Sequence, residues 1–246
     1  MVKLKRPSPK EMVRVGFDRA VESQYPLAVE NVGRLRRLHP EKSPEELASL
    51  LNKFYLAAVS ATGAGAGAAA AVPNGAVQVP AAFADLLMFL EASVLYTLSI
   101  AEIHGLSAED VERRRLLVMA VLVGESASSA VLEPLTKRTA PYWGRQIVKA
   151  IPREAILKAN KVLGHNFITK YGARQGILVL STQIPFFIGA GIGAGGNALF
   201  GWFIVKAARK ILGPPPPNWT THHQGARQAG MALESDEKLT PTTEVP

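Results

Sequence analysis

At 246 residues the chain is long enough to bury a sizeable core, as one large domain or two small ones. It has no cysteine, which excludes a disulfide frame, a thiol nucleophile and a thiolate metal site. Its net charge of +8 points to an anionic partner, lipid headgroups ahead of nucleic acid, because no RNP-like or zinc-finger pattern accompanies the charge.

Residues 1–7 are basic with no apolar run behind them, so they are expected to be a flexible start and not a secretory signal peptide. Ser8-Pro9-Lys10-Glu11 is a helix-start signal: a capping serine, a proline in the first turn and an acid three residues after the cap. That helix is expected to end near Gln24, with Pro26 opening a second that stops before Pro40. Arg34, Arg36, Arg37 and His39 make its last turn cationic, the sign the helix dipole favours there. The start signal recurs at Ser43-Pro44-Glu45-Glu46, before Leu47, Leu50, Leu51, Phe54 and Tyr55 at helical spacing.

From Phe54 to Ala84 there is no charge, and Gly63, Gly67 and Ala71 recur every four residues. Val72-Pro73-Asn74-Gly75 reads as a turn. Pro80 then sits where a first-turn proline would, ahead of a helix apolar on nearly all sides that closes at Gly105. Such a helix is usually buried. Ser107 to Asp110 cap the next helix, charged at first and then LLVMAVLVG. Gly124 to Gly144 is mixed in composition and expected to be partly irregular. Behind Pro152 comes a helix with Ile156, Ala159, Val162 and Leu163 inward and Lys158 and Lys161 outward.

The most distinctive stretch is Gln175 to Val205, which has no charge at all. Gly189, Gly193, Asn197 and Gly201 recur every four residues and make a smooth stripe that admits a second helix closely. Cations flank the stretch: Lys170 and Arg174 before it, Lys206, Arg209 and Lys210 after. Gly213 and the prolines 214–217 stop the last helix, and the tail is polar. No stretch keeps a period-two alternation. The fold class is therefore all-α: about seven to nine helices in one compact domain over 8–213, with a disordered Pro- and Thr-rich tail over 214–246.

The segment LLMFLEASVLYTLSIAEIHGLSAEDVERRRLLVMAVLVG resembles the middle of EcsC family proteins, and ILKANKVLGHNFITKYGARQGILVLSTQIPFFIGAGIGAGGNALFGWFIVKAARKIL resembles their C-terminal half. The resemblance spans roughly Leu47 to Leu212 and lies in the order of several low-complexity motifs. His104 stands where the family has an aromatic before Gly105, and residues 125–143 diverge. The family is named for a protein encoded beside an ABC transporter and has no established catalytic residues. The resemblance implies a helical fold and a membrane setting, without a reaction.

Several constellations invite a chemical reading, and most lack a partner feature it needs. Gly191-Ile-Gly193-Ala-Gly195-Gly196 matches a dinucleotide fingerprint but lacks the preceding strand and the acid about 20 residues on. Histidines 39, 104, 165, 222 and 223 show no ligand spacing, so neither a metal nor a cofactor is expected. Ser126 lacks the final glycine of a nucleophile elbow and reads as a loop serine. Asp85, Glu91 and Glu102 interrupt the apolar helix. Glu91 and Glu102 share a face by spacing, and all three are candidates for buried carboxylates with basic partners. The cations from Arg145 through Lys149, Arg153, Lys158 and Lys161 to Lys170 and Arg174 form a solvated or lipid-facing surface.

A single span takes about 20 apolar residues and two take about 40, so 175–205 fits a re-entrant hairpin or a buried helix pair better than a crossing. Basic flanks on both sides argue the same way. The sequence thus predicts a cytoplasmic, membrane-associated helical accessory protein without catalysis. Its partners would be anionic lipid or a membrane protein such as a transporter, and not nucleic acid. The alternatives are a soluble helical protein or enzyme enclosing an apolar small molecule, and a transmembrane accessory subunit.

Overall fold

The computed structural model describes residues 8–69, 75–106, 108–136, 142–181 and 186–219. Among these there are eight helices and no strand. In chain order they are α1 (Pro9–Leu38), α2 (Pro44–Ala69), α3 (Gly75–Ile103), α4 (Val111–Val123), α5 (Glu125–Thr136), α6 (Trp143–Lys149), α7 (Arg153–Ser181) and α8 (Phe186–Leu212). Side chains are described as far as Ala64 in α2, from Ala84 in α3, as far as Lys170 in α7 and from Gly195 in α8.

The helix starts obey local chemistry. Ser8 Oγ accepts from the Glu11 amide at 3.3 Å. At α2 the reciprocal box is complete: Ser43 Oγ accepts from the Glu46 amide at 3.3 Å, and Glu46 Oε2 accepts from the Ser43 amide at 2.8 Å. These bonds from Ser43 hold the Glu46 carboxyl below its ordinary range. Asp110 caps α4, accepting from the amides of Glu112 and Arg113 at 2.9 and 3.0 Å. The end of α3 is a Schellman turn. Gly105, at φ 65°, donates to Glu102 O, and Leu106 donates to Ala101 O.

Three boundaries and the facing of one residue depart from the sequence reading. No break falls between Gln24 and Pro26, and α1 runs straight through that proline. An interior proline forfeits one helical hydrogen bond. Here Val13, Phe17, Ala20 and Val21 before it and Ala28, Val32 and Leu35 after it are all buried, so both halves are anchored in one core and the helix continues. α3 begins at Gly75, ahead of Pro80. Within the 124–144 stretch expected to be partly irregular, Glu125–Thr136 form α5 and α6 begins at Trp143, with 137–141 outside the described residues, and Ser126, expected in a loop, is an exposed residue in the first turn of α5. The reason is the left-handed break at Gly124 (φ 97°): Ser128 Oγ donates to Ala120 O and Gly124 O, each at 2.7 Å, and stitches α5 to the end of α4. Finally, Val162 is exposed, while Ile156, Ala159 and Leu163 are buried as expected. Ser107 and most of the expected Val72–Gly75 turn lie outside the described residues.

α4 is the centre of the core. Every residue from Leu116 to Leu122 is buried, which its all-round apolar sequence requires. It touches α7 most and also meets α1, α3, α5, α6 and α8. α3 packs between α1 and α2, and α2 packs more extensively on α8 than any other pair of helices. After Gly213 the chain does not leave the surface at once. Trp219 stacks under Arg36 at 4.2 Å, and its indole N–H reaches Lys42 O at 3.1 Å. The first six residues of the predicted disordered tail, 214–219, are thus ordered against α1 and the α1–α2 link, and the rest of that tail lies outside the described residues.

Candidate functional site: the outer face of α8 and the groove beside it

α8 is divided by its own sequence into an inner and an outer face. On the inner side Gly201, Ile204, Ala208 and Ile211 are buried. A Cβ on Gly201 would lie 2.8 Å from Val59 Cγ2, 3.2 Å from Leu56 Cδ2 and 3.6 Å from Tyr55 Cε1, so the α8 backbone passes directly over α2 there. On the outer side Leu199, Trp202 and Phe203 are 54%, 47% and 49% exposed. With Lys206 and Lys210 they follow the i, i+3, i+4 spacing of one helix face. The Trp202 and Phe203 rings meet edge to face at 5.3 Å, and Lys206 Nζ sits 5.0 Å from the Trp202 ring.

A groove of about 640 Å³ lies beside this face, between the start of α2, the end of α3 and the end of α8. Its walls include Glu45, Ser49 and Asn52 from α2, Tyr96, Ile100 and His104 at or near the end of α3, and Trp202, Lys206 and Arg209 from α8. Tyr96 is nearly buried, stacks on Tyr55 at 4.4 Å and donates to Asn52 Oδ1 at 2.7 Å. Burial pushes its phenol pKa well up, so it remains a neutral donor. His104 closes the floor: Nδ1 faces Ile100 O at 2.7 Å and Nε2 faces Gly213 O at 3.2 Å, joining the ends of α3 and α8.

The cations expected at a membrane surface have diverse roles. Lys170 Nζ donates to Leu122 O and Val123 O at 2.8 and 3.1 Å, satisfying the last carbonyls of α4. Lys210 is paired with Glu125. Lys206 and Arg209 are exposed and form no ion pair among the described residues. The Arg174 side chain lies outside the described residues. So do the surroundings of Gly67, Gly189 and Gly193, although all three sit in helices, in α2 and α8. Gly63 is buried in α2.

Of the three carboxylates, Asp85 and Glu102 are buried, whereas Glu91 is exposed. Spacing alone put Glu91 and Glu102 on one face, but neighbours cover the two ends of α3 differently. Asp85 Oδ1 accepts from Asn197 Nδ2 at 2.8 Å, so the polar member of the α8 glycine stripe bonds a buried acid of α3. A second polar system, half-buried around the buried Asn160, went unread. Glu112 bonds Arg115 at 2.6 Å and Asn160 Nδ2 at 2.7 Å, and Arg115 reaches Asp18 at 3.2 Å. These bonds join α1, α4 and α7 and are structural. Among the described residues no three His, Cys, Asp or Glu side chains converge as a metal site. Ala84–Ile103 is the one described helix long and apolar enough to cross a membrane, with 72% of the tested window buried, as befits a core helix.

The outer face of α8 and the groove were both missed in the sequence. Leu199, Trp202, Phe203 and Lys206 carry a readable amphipathic signal, but the surrounding uncharged run hides it. The groove had no such signal, because its walls come from three separated segments. No family model, curated protein or solved structure matches this chain.

Proposed function

We propose that this chain is a membrane-associated helical accessory protein without catalysis of its own. It docks on the cytoplasmic leaflet, or beside a membrane partner such as a transporter, through the outer face of α8. The observation that carries this reading is the exposed Leu199–Trp202–Phe203 cluster with Lys206 on the same face and Arg209 next to it. Large apolar side chains at half exposure, bordered by cations that form no ion pair among the described residues, suit the boundary between headgroups and acyl chains. Two well-placed cations add about 2 kcal/mol on an anionic surface, roughly thirtyfold in partitioning. The resemblance to EcsC proteins supports the same setting.

Cosedimentation with vesicles tests it. Binding should rise with phosphatidylglycerol content and fall with salt, because the attraction is screened over about 8 Å at physiological ionic strength. The Leu199→Ser/Phe203→Ser variant alters only exposed side chains and should keep its melting temperature while losing most vesicle binding. Equal sedimentation of the variant and the parent, or none of the parent with any vesicle, would overturn the reading.

A further inference from the structure

The groove beside α8 carries opposite charges that its own residues leave unmatched. Lys206 and Arg209 stand on the α8 wall and Glu45 on the α2 wall, and none of them forms an ion pair among the described residues. Glu46, by contrast, is taken up by the Ser43 cap. Asn52 receives the Tyr96 hydroxyl through its oxygen, which leaves its amide N–H₂ as a donor into the same space. Ser49 and His104 add polar wall, and Ile100, Val205 and the Trp202 ring make the apolar part.

We propose that this groove holds the head group of an aminophospholipid, with the phosphate against Lys206 and Arg209 and the ammonium against Glu45. The inference rests on the membrane-docking reading and names what the docked face recognises. A purely anionic head group would satisfy the two cations but leave Glu45 facing like charge, whereas a zwitterionic one matches both walls. The volume, about 640 Å³, lies within the range of small-molecule sites. Trp202 and Lys206 belong to the groove and to the exposed face alike. Acyl chains leaving the groove therefore have Leu199 and Phe203 to lie on, which favours a lipid over a free phosphate ester.

The test uses the full chain and monomeric short-chain lipids, below the concentration at which they form micelles. Calorimetric titration with dihexanoyl-phosphatidylethanolamine should show one saturable site, roughly fivefold tighter than dihexanoyl-phosphatidylglycerol. Glu45→Gln should abolish that preference and Arg209→Gln should weaken both lipids. Both residues are exposed and form no ion pair among the described residues, so thermal melts should be unchanged in each variant. Equal affinity for the two lipids, or a preference that survives Glu45→Gln, would overturn the proposal. Inorganic phosphate or glycerophosphoethanolamine binding as tightly as the lipid would overturn it too, assigning the groove to a soluble phosphate ester. Vesicle docking that rises with phosphatidylglycerol content, together with equal affinity for the two short-chain lipids, would refute the groove alone. Head-group preference in a chain that ignores vesicles would refute the docking reading instead.

Discussion

Adding one methyl group at Gly201 should expose how closely α2 and α8 depend on each other. The new Cβ would sit 2.8 Å from Val59 Cγ2 and 3.2 Å from Leu56 Cδ2. Val59 is fully buried and β-branched, and a β-branched residue in a helix has one strongly preferred rotamer, so it cannot swing aside. Overpacking of this kind costs about 1–3 kcal/mol, while replacing a helical glycine with alanine returns about 1 kcal/mol of backbone entropy. The net expectation for Gly201→Ala is a destabilisation of about 0–2 kcal/mol, and Gly201→Leu, which pushes further into Leu56 and Tyr55, should exceed 3 kcal/mol or fail to fold. For a chain of this size each kcal/mol moves the melting midpoint by about 2–4 °C. A double-mutant cycle with Val59→Ala isolates the contact. The single Val59→Ala change leaves a cavity, and the added methyl of Gly201→Ala should fill part of it. The pair should then be more stable than the sum of the singles by at least about 0.5 kcal/mol. Circular dichroism melts and urea titrations measure all four proteins. A Gly201→Ala variant that gains the full helix-propensity increment, with no coupling to Val59, would refute the close passage of α8 over α2.

Three further outcomes follow from buried or docked polar groups. Tyr96 has its phenol pKa raised by burial, so the unfolded chain gives up that proton near pH 10 while the folded chain keeps it; this stability is present below pH 10 and lost above it. Tyr96→Phe should flatten the decline, up to about 1.4 kcal/mol per pH unit, and an identical alkaline profile in urea titrations would contradict it. Asn197→Leu removes the amide that bonds Asp85 and should cost about 2–4 kcal/mol, with partial recovery in the Asp85→Ala background; equal losses in both backgrounds would count against the contact. Truncation after Pro217 should melt a few degrees below truncation after Trp219, because only the shorter chain loses the Arg36 stack and the Lys42 hydrogen bond.

The all-α class was legible because the signals behind it are local. Ser43 with Glu46, Gly105 before Leu106 and Gly213 before the prolines act within one or two turns, and the folded chain uses all of them. Where the reading failed, a distant contact outweighed the local rule. Pro26 signals a break, yet α1 continues through it, with buried residues on either side anchored in the core. Residues 125–136, in a stretch expected to be partly irregular, are helical with Ser128 bonded back to the last turn of α4. Lys170 is on the surface, as the sequence reads, but only the fold shows that its ammonium also satisfies the terminal carbonyls of α4. Glu91 and Glu102 share a helix face by spacing, but only the neighbouring helices decide which end of that face is covered.

The groove takes this dependence furthest, and it ties stability to the proposed function. Residues near 55–59 of α2 oppose Gly201, while Ser49 and Asn52 oppose residues 202–209, so the two helices run antiparallel. The distance between the Glu45 wall and the Arg209 wall is therefore set by how closely the helices approach at Gly201. No residue at Gly201 touches the groove, but a side chain there would pry the walls apart. The stripe of small residues and the unpaired charges, separate features in the sequence, are parts of one arrangement. Its spacing comes from a missing side chain, and its chemistry comes from the charged residues one or two turns further along each helix.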